Sequence, residues 1–277
     1  MTIRTVEEHE AEDFLRLMCR IFNLDFDRAK GIFFREPFYE LRRKWAVFLR
    51  GEMIACLTTV PLEFGDGNAA GIAGVGVDPS HRGKGIASEM LHHVTQKGEE
   101  KRLLLFAENP RLYHKVGFQI LDYVISHPLP INPTNHPPKR ANFKDVCATY
   151  QTWAESKPNR LRRNSKRWEL WTWQMKSCFL LNEEKKHPMP SHTAERKNYL
   201  HATEENSRIH YFCLDGERVR EILPEFHPLP INEPTEWYGL ESMAHLLKIP
   251  LSSPKRELLL MGFGFSEPPQ MFMSDQF

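Results

Sequence analysis

"AGIAGVGVDPSHRGKGIASEML", residues 70–91, sets an apolar run with β-branched residues directly before a cluster of glycines and cations, then opens into a helix-like segment. A glycine-rich turn between a strand and a helix exposes backbone N–H groups that have no intrahelical partner, and the helix dipole adds partial positive charge at that end. The turn therefore reads as an anion cradle. Gly83 and Gly85 let the backbone approach a phosphate without a Cβ in the way, and Arg82 and Lys84 add charge. Neither common nucleotide loop is present, because a P-loop needs G-x-x-x-x-G-K-[ST] and a dinucleotide fold needs G-x-G-x-x-G after its first strand.

Working outward, residues 2–6 predict a strand, and "EEHEAEDFLRLMCRIFN" predicts a helix with Phe14, Leu17, Met18 and Ile21 on one stripe behind an acidic first turn. "WAVFLRGEMIACLTTVPLEF" is rich in Val, Ile, Thr and Phe and reads as a hairpin turning at Arg50-Gly51-Glu52. After the cradle, a helix from Ile86 to about Glu100, a strand at "KRLLLFAE", a helix starting near Pro110 and a strand at "GFQILDYVI" complete the order β, α, β, β, β, α, β, α, β. The segment "SHPLPINPTNHPPKRAN", from Ser126, holds five prolines and is expected to end the sheet as a linker.

Beyond the linker, helices are expected over 144–156 and 165–175. Extended segments are expected at 177–182, 197–203, 208–214 and 257–263, and a short helix at "ERVREIL". The hexapeptide "HPLPIN" occurs at 127–132 and again at 227–232, either as a tandem duplication or as two connectors that agree. Six cations between Lys157 and Arg167 precede Trp168, Trp171 and Trp173, a pattern that suits nucleic acid or an acidic peptide. The reading favoured here is an amphipathic helix with its tryptophans in the core and its cations solvated, and no nucleic-acid partner. With 37 Lys and Arg against 36 Asp and Glu, the net charge of +1 provides no global field for a polyanion or an anionic membrane.

Five scattered cysteines, among them Cys178, with no C-x-x-C pair fit reduced thiols. The N-terminus has no apolar leader and no 18-residue apolar run occurs, so the protein is expected to be cytoplasmic, with no membrane partner. The histidines at 187–192 and the pair His92-His93 lack a tight ligand set, and no metal is expected.

"VDPSHRGKGIASEML" resembles the pyrophosphate loop of the GNAT superfamily of acetyl-CoA-dependent N-acetyltransferases, whose pattern [QR]-x-x-G-x-[GA] is filled by Arg82, Gly85 and Ala87. "NPRLYHKVGF" is similar to that superfamily's second motif, with Asn109 at a helix start, Tyr113 four residues on and Gly-Phe entering the next strand. The resemblance covers roughly residues 1–125. It implies an α/β (α+β) GNAT fold with a mixed central sheet and flanking helices. It implies acetyl-CoA as co-substrate, held by Val75, Gly76 and Val77 along the pantetheine arm, by Arg82, Gly83, Lys84, Gly85, Ile86, Ala87 and Ser88 at the pyrophosphate, and by Glu108 and Asn109 alongside. Tyr113 would protonate the leaving thiolate. His114, next to it, reads as a surface histidine.

The layout, and the loop "VGVDPSHRGKG", also resemble the Eis (enhanced intracellular survival) family, which carries a second GNAT-like half without its own cofactor loop. Accordingly the chain divides into a catalytic domain at 1–135 and a degenerate GNAT-like domain at 136–277, in which "SRIHYFCLDGERVREIL" has only Gly216 at the counterpart junction. The chain departs from Eis in being much shorter, without a full third, sterol-carrier-like region. In Eis-like proteins the terminal carboxylate, on a Phe, serves as general base, and here the chain ends "MFMSDQF", making Phe277 the counterpart. Acids around the first helices such as Glu36, or a water on the strand before the cradle, are the other candidates for that role. The implied reaction is transfer of an acetyl group to a primary amine, on a small molecule or a peptide, by direct attack in a ternary complex. The alternative is a non-catalytic acyl-CoA sensor or scaffold. Homo-oligomerisation is left open.

Overall fold

The hairpin of β2 (Lys44–Leu49) and β3 (Glu52–Phe64) turns on Arg50 and Gly51, both at positive φ (52° and 86°), a twist that matches the flanking strands. The computed structural model describes residues 1–135, 139–177, 200–205 and 208–277. β1 (Thr2–Thr5) pairs with β2, and α1 (Ala11–Phe22) buries Phe14, Leu15 and Leu17 before stopping at Asn23 in a left-handed conformation. A further short helix, α2 (Phe26–Phe33), is capped by the Asp25 carboxylate accepting from the Arg28 N–H, a signal the apolar pattern is too short to display. Then follow β4 (Gly67–Val77), α3 (Ile86–Lys97), β5 (Leu103–Ala107), α4 (Arg111–His114) and β6 (Gln119–Pro128), in the expected order.

The later elements are β7 (Lys139–Arg140), α5 (Phe143–Glu155), β8 (Leu161–Arg162), α6 (Ser165–Ser177), β9 (Leu200–Glu205), β10 (Arg208–Asp215), β11 (Arg218–Leu223), β12 (Glu236–Leu240), α7 (Glu241–Leu246) and β13 (Lys255–Phe263). One mixed sheet of 13 strands runs β1-β2-β3-β4-β5-β13-β6-β12-β11-β10-β9-β7, with β8 pairing β3 off this path. Helices flank it. The late strand β13 is inserted between β5 and β6 and is antiparallel to both, so the chain beyond residue 135 returns into the sheet of the first part.

Three expectations are corrected. Ser126, His127 and Pro128 do not end the sheet but continue β6, because β12 supplies a new edge partner, with Trp237 opposite His127. "ERVREIL" is not a helix: Gly216 at φ 61° closes a hairpin between β10 and β11, and the alternation of buried Val219 and Glu221 with half-buried Arg218 and Arg220 is that of a strand. The cations ahead of the tryptophans are not all solvated. Arg160 and Arg167 are buried, and the Arg163 side chain is fully enclosed. The two "HPLPIN" copies lie against each other, with the Leu229 N–H donating to the Pro130 carbonyl at 3.2 Å and the Asn132 N–H to the Leu229 carbonyl at 2.7 Å. The extended segment expected at 177–182, Cys178 and the histidines at 187–192 lie outside the described residues, except that Ser177 ends α6.

Candidate active site

The parallel ladder between β4 and β5 joins Ala70, Gly71 and Ile72 to Leu103, Leu104 and Leu105 and goes no further, although β4 continues to Val77 and β5 to Ala107. The strands part because β4 is irregular: its register with β3 shifts between Cys56 and Thr58, and Gly74 sits at φ 61°, a conformation only glycine adopts readily. The gap exposes an open edge on Ala73–Val77. Gly76 has a further reason to be glycine, since a Cβ there would come within 2.7 Å of Ile21 on α1.

Past β4, the Asp78 carboxylate accepts from the Ser80 N–H (3.0 Å) and hydroxyl (2.6 Å), and pairs with Arg20 at 2.6 Å. These bonds hold its pKa below the ordinary value, the Ser80 contacts most of all. They also pin the loop to α1. Gly83 (φ 77°) and Gly85 (φ 80°) then turn the chain into α3. Among the described residues, the N–H groups of Gly83, Lys84, Gly85, Ile86, Ala87 and Ser88 have no protein acceptor. No atom lies within 4 Å of where a Cβ at Gly83 or Gly85 would stand. A cleft of about 550 Å³ is lined here by Val75, Gly76, Val77, Arg82, Gly83, Gly85, Ile86, Ala87 and Ser88. Unpaired amides at a helix start, with room before them, fit a pyrophosphate. Arg82 also donates from Nε to the Val77 carbonyl at 3.1 Å, and Lys84 reaches back to the Ser80 carbonyl at 3.5 Å.

A second hollow of about 490 Å³ lies at the end of β5, lined by Phe106, Glu108, Asn109, Leu112 and Tyr113, and it shares Leu112 with the first. The Asn109 carboxamide oxygen accepts from the Arg111 N–H at 2.9 Å, so this residue starts α4 as well as lining the hollow. Tyr113 is half-buried against Phe118, and burial raises its phenol above the ordinary pKa, so it holds its proton at neutral pH. Its hydroxyl has no partner among the described residues. His114 is exposed, with Nδ1 on the Phe118 carbonyl at 2.9 Å.

The C-terminal tail comes to the same place. Met271, Phe272 and Met273 are buried, and the Phe277 ring sits over Gly71, where a Cβ would stand 2.3 Å from two ring carbons; the ring also lies 5.4 Å from that of Phe106. Upstream, Arg163 donates to Asp275 Oδ2 at 2.6 Å and Glu221 Oε2 at 2.7 Å, while lying 3.7 Å over the Tyr150 ring. Tyr211 and Ser274 hydroxyls and the Trp171 indole complete the set around Glu221. Burial alone would raise the Glu221 pKa; Arg163 overcomes it and holds it low. Missed in the sequence were Gly71 as the seat of the ring, Phe106 as its neighbour and Arg163 as the tail's anchor. The run of small residues in "AGIAGVGV" was the visible signal for the first.

Residues 2–121 match the family model of the acetyltransferase (GNAT) domain, a stretch that holds both the loop and the Tyr113 helix. Solved structures align with 94% of this chain. A GCN5-related N-acetyltransferase from Anabaena variabilis is 17% identical with a TM-score of 0.61, over 72% of its own chain. One from Kribbella flavida is 16% identical at 0.60 over 70%, and Eis1 from Mycobacterium abscessus 15% identical at 0.57 over 73%. At such identities the likeness is one of fold, in keeping with the Eis resemblance. The comparison with curated proteins returns no match. Among the described residues no helix is long and apolar enough to cross a membrane, and no group of three metal-ligating side chains occurs.

Proposed function

We propose that the protein transfers an acetyl group from acetyl-CoA to a primary amine by direct attack. The carrying observation is the run of six amides at Gly83–Ser88, without a partner among the described residues, beside an open β4 edge, with Tyr113 across the gap. Acetyl-CoA supplies the activated acyl group. The loop amides and Arg82 bind the pyrophosphate, the free edge at Val75–Val77 orients the pantetheine arm, and Glu108 and Asn109 flank it. As the new N–C bond forms and the C–S bond breaks, Tyr113 gives its proton to the departing sulfur. The terminal carboxylate of Phe277, brought in by the tail, takes the proton from the amine.

In this reading residues 1–135 form the catalytic unit. Residues 136–277 form a GNAT-like unit without a cofactor loop that shapes the acceptor side through Leu170, Trp173 and Phe277. The free thiols of Cys19, Cys56, Cys147 and Cys213 support a cytoplasmic setting. The test is thiol release from acetyl-CoA across a panel of amines. Tight acetyl-CoA binding with no release would favour a sensor.

A further inference from the structure

A cavity of about 190 Å³ opens beside Gly74, and its lining includes Phe33, Glu36, Lys44, Thr58, Trp173 and Phe277. Most of its wall is apolar, yet the Lys44 side chain is only 2% exposed. The ammonium donates to Glu36 Oε2 at 3.2 Å and otherwise faces the Phe33 and Tyr39 rings, 5.0 and 5.6 Å from their centroids. An ammonium has three N–H donors, and among the described residues Lys44 donates only to Glu36 Oε2, leaving donors on Lys44 and the second oxygen of Glu36. Burial lowers the Lys44 pKa, with Glu36 opposing.

Lys44 stands opposite Thr58, and Thr58 opposite Ala73, in one row across β2, β3 and β4. That row ends at the open edge where the proposed reaction places the acyl group. An apolar side chain of similar volume would fill the Lys44 position without the desolvation cost, so packing gives no reason for the charge there.

We propose that this cavity takes an acceptor carrying its own carboxylate, a small amino acid or similar aminocarboxylate: the carboxylate meets Lys44, the amine lies toward Ala73, Gly74 and Phe277 at the open edge, and an apolar side chain lies against Phe33 and Trp173. The inference rests on the acyl-transfer reading and narrows its acceptor. The cavity is smaller than the ~300–1,000 Å³ of sites for drug-sized ligands, which excludes a bulky polycation. A polyamine would set a second ammonium against Lys44 in a poorly solvated space, where like charges repel strongly.

The test measures thiol release with leucine, methionine and phenylalanine, each beside its carboxamide and its decarboxylated amine, and with spermidine. The acids are expected to exceed their carboxamides in kcat/KM by ~10-fold or more, the scale of a hydrogen bond to a charged group. Lys44→Met should lower the acids to the level of the carboxamides, chiefly through KM, and Lys44→Arg should retain the preference. If Lys44→Met does not fold, the acid-to-carboxamide ratio of the wild type decides alone. Equal use of the two by the wild type, or an undiminished preference in a folded Lys44→Met, overturns the carboxylate pocket and leaves acyl transfer standing. Absence of release with every amine overturns both.

Discussion

Gly71→Ala adds one methyl group under the Phe277 ring, whose carbons are the three atoms nearest to it. The new Cβ would stand 2.3, 2.3 and 2.6 Å from three ring carbons, and ordinary contact begins near 3.4 Å. The ring must therefore retreat by about 1.1 Å on the steep repulsive side of the contact. Asp275, two residues upstream, is held by Arg163, so the retreat falls on Gln276 and Phe277 and moves the terminal carboxylate with them. A misplacement of about 1 Å at a reacting group costs on the order of 10²-fold in turnover. Overpacking should also cost about 1–3 kcal/mol of stability. Thiol release under saturating substrates reads the first, urea unfolding the second, and calorimetry should find acetyl-CoA affinity unchanged, because the Gly83–Ser88 loop is not involved. Phe277→Ala removes the clash, so the double variant should be no slower than Phe277→Ala alone. Turnover of Gly71→Ala within a factor of about two of wild type would refute the placement of the tail at the reacting centre.

Tyr113→Phe keeps the ring against Phe118 and is expected to lower turnover ~10²-fold with near-normal acetyl-CoA affinity. Since burial raises the phenol above its ordinary pKa, the wild type should show no alkaline loss from this group below pH 10. Gly85→Glu places a side chain at φ 80° and a negative charge at the start of α3, and calorimetry should show acetyl-CoA binding weakened by ~2 kcal/mol or more. Asp275→Asn removes one of the two carboxylates that meet Arg163 and the one paired with Arg167, and should cost about 3–5 kcal/mol in urea unfolding and slow turnover as the tail loosens. Arg4, through two 2.7 Å hydrogen bonds, lowers the Glu10 pKa from 4.5 to about 2. A depressed folded pKa gives stability that is present above 4.5 and lost as pH falls toward about 2, so Arg4→Met should flatten acid destabilisation in that window, as read from unfolding midpoints.

The first six strands and the cradle were legible because their signals are local: the apolar, β-branched run "MIACLTTV", the acidic first turn of α1, and glycines where positive φ is needed at Gly83 and Gly85. The second part was harder for a physical reason. "ERVREIL" spaces its apolar residues at Val219, Ile222 and Leu223, which matches a helix stripe as well as a strand, and only pairing with β10 decides between them. The insertion of β13 between β5 and β6 joins residues more than a hundred positions apart and leaves no local trace. Burial of Arg163 was equally hidden, since a cation in "RLRRNSK" looks solvated until Glu221 and Asp275, both distant in sequence, are brought to it.

The choice of an ion network to hold the tail has its own logic. Apolar packing around Met271, Phe272 and Met273 would fasten the tail to the core, but such contacts are non-directional and tolerate a shift of position. The guanidinium of Arg163 bonds Asp275 and Glu221 at once, and charge-assisted bonds of this kind depend sharply on direction and distance. Arg167 adds a bond to the Asp275 carbonyl at 3.1 Å, fixing the backbone as well as the side chain. A buried network contributes little net stability compared with an apolar core, so its use here is better understood as setting register than as adding strength. It sits two residues before Phe277, and that short reach is what would let a chain terminus, ordinarily the most mobile part of a fold, hold a reacting group in place.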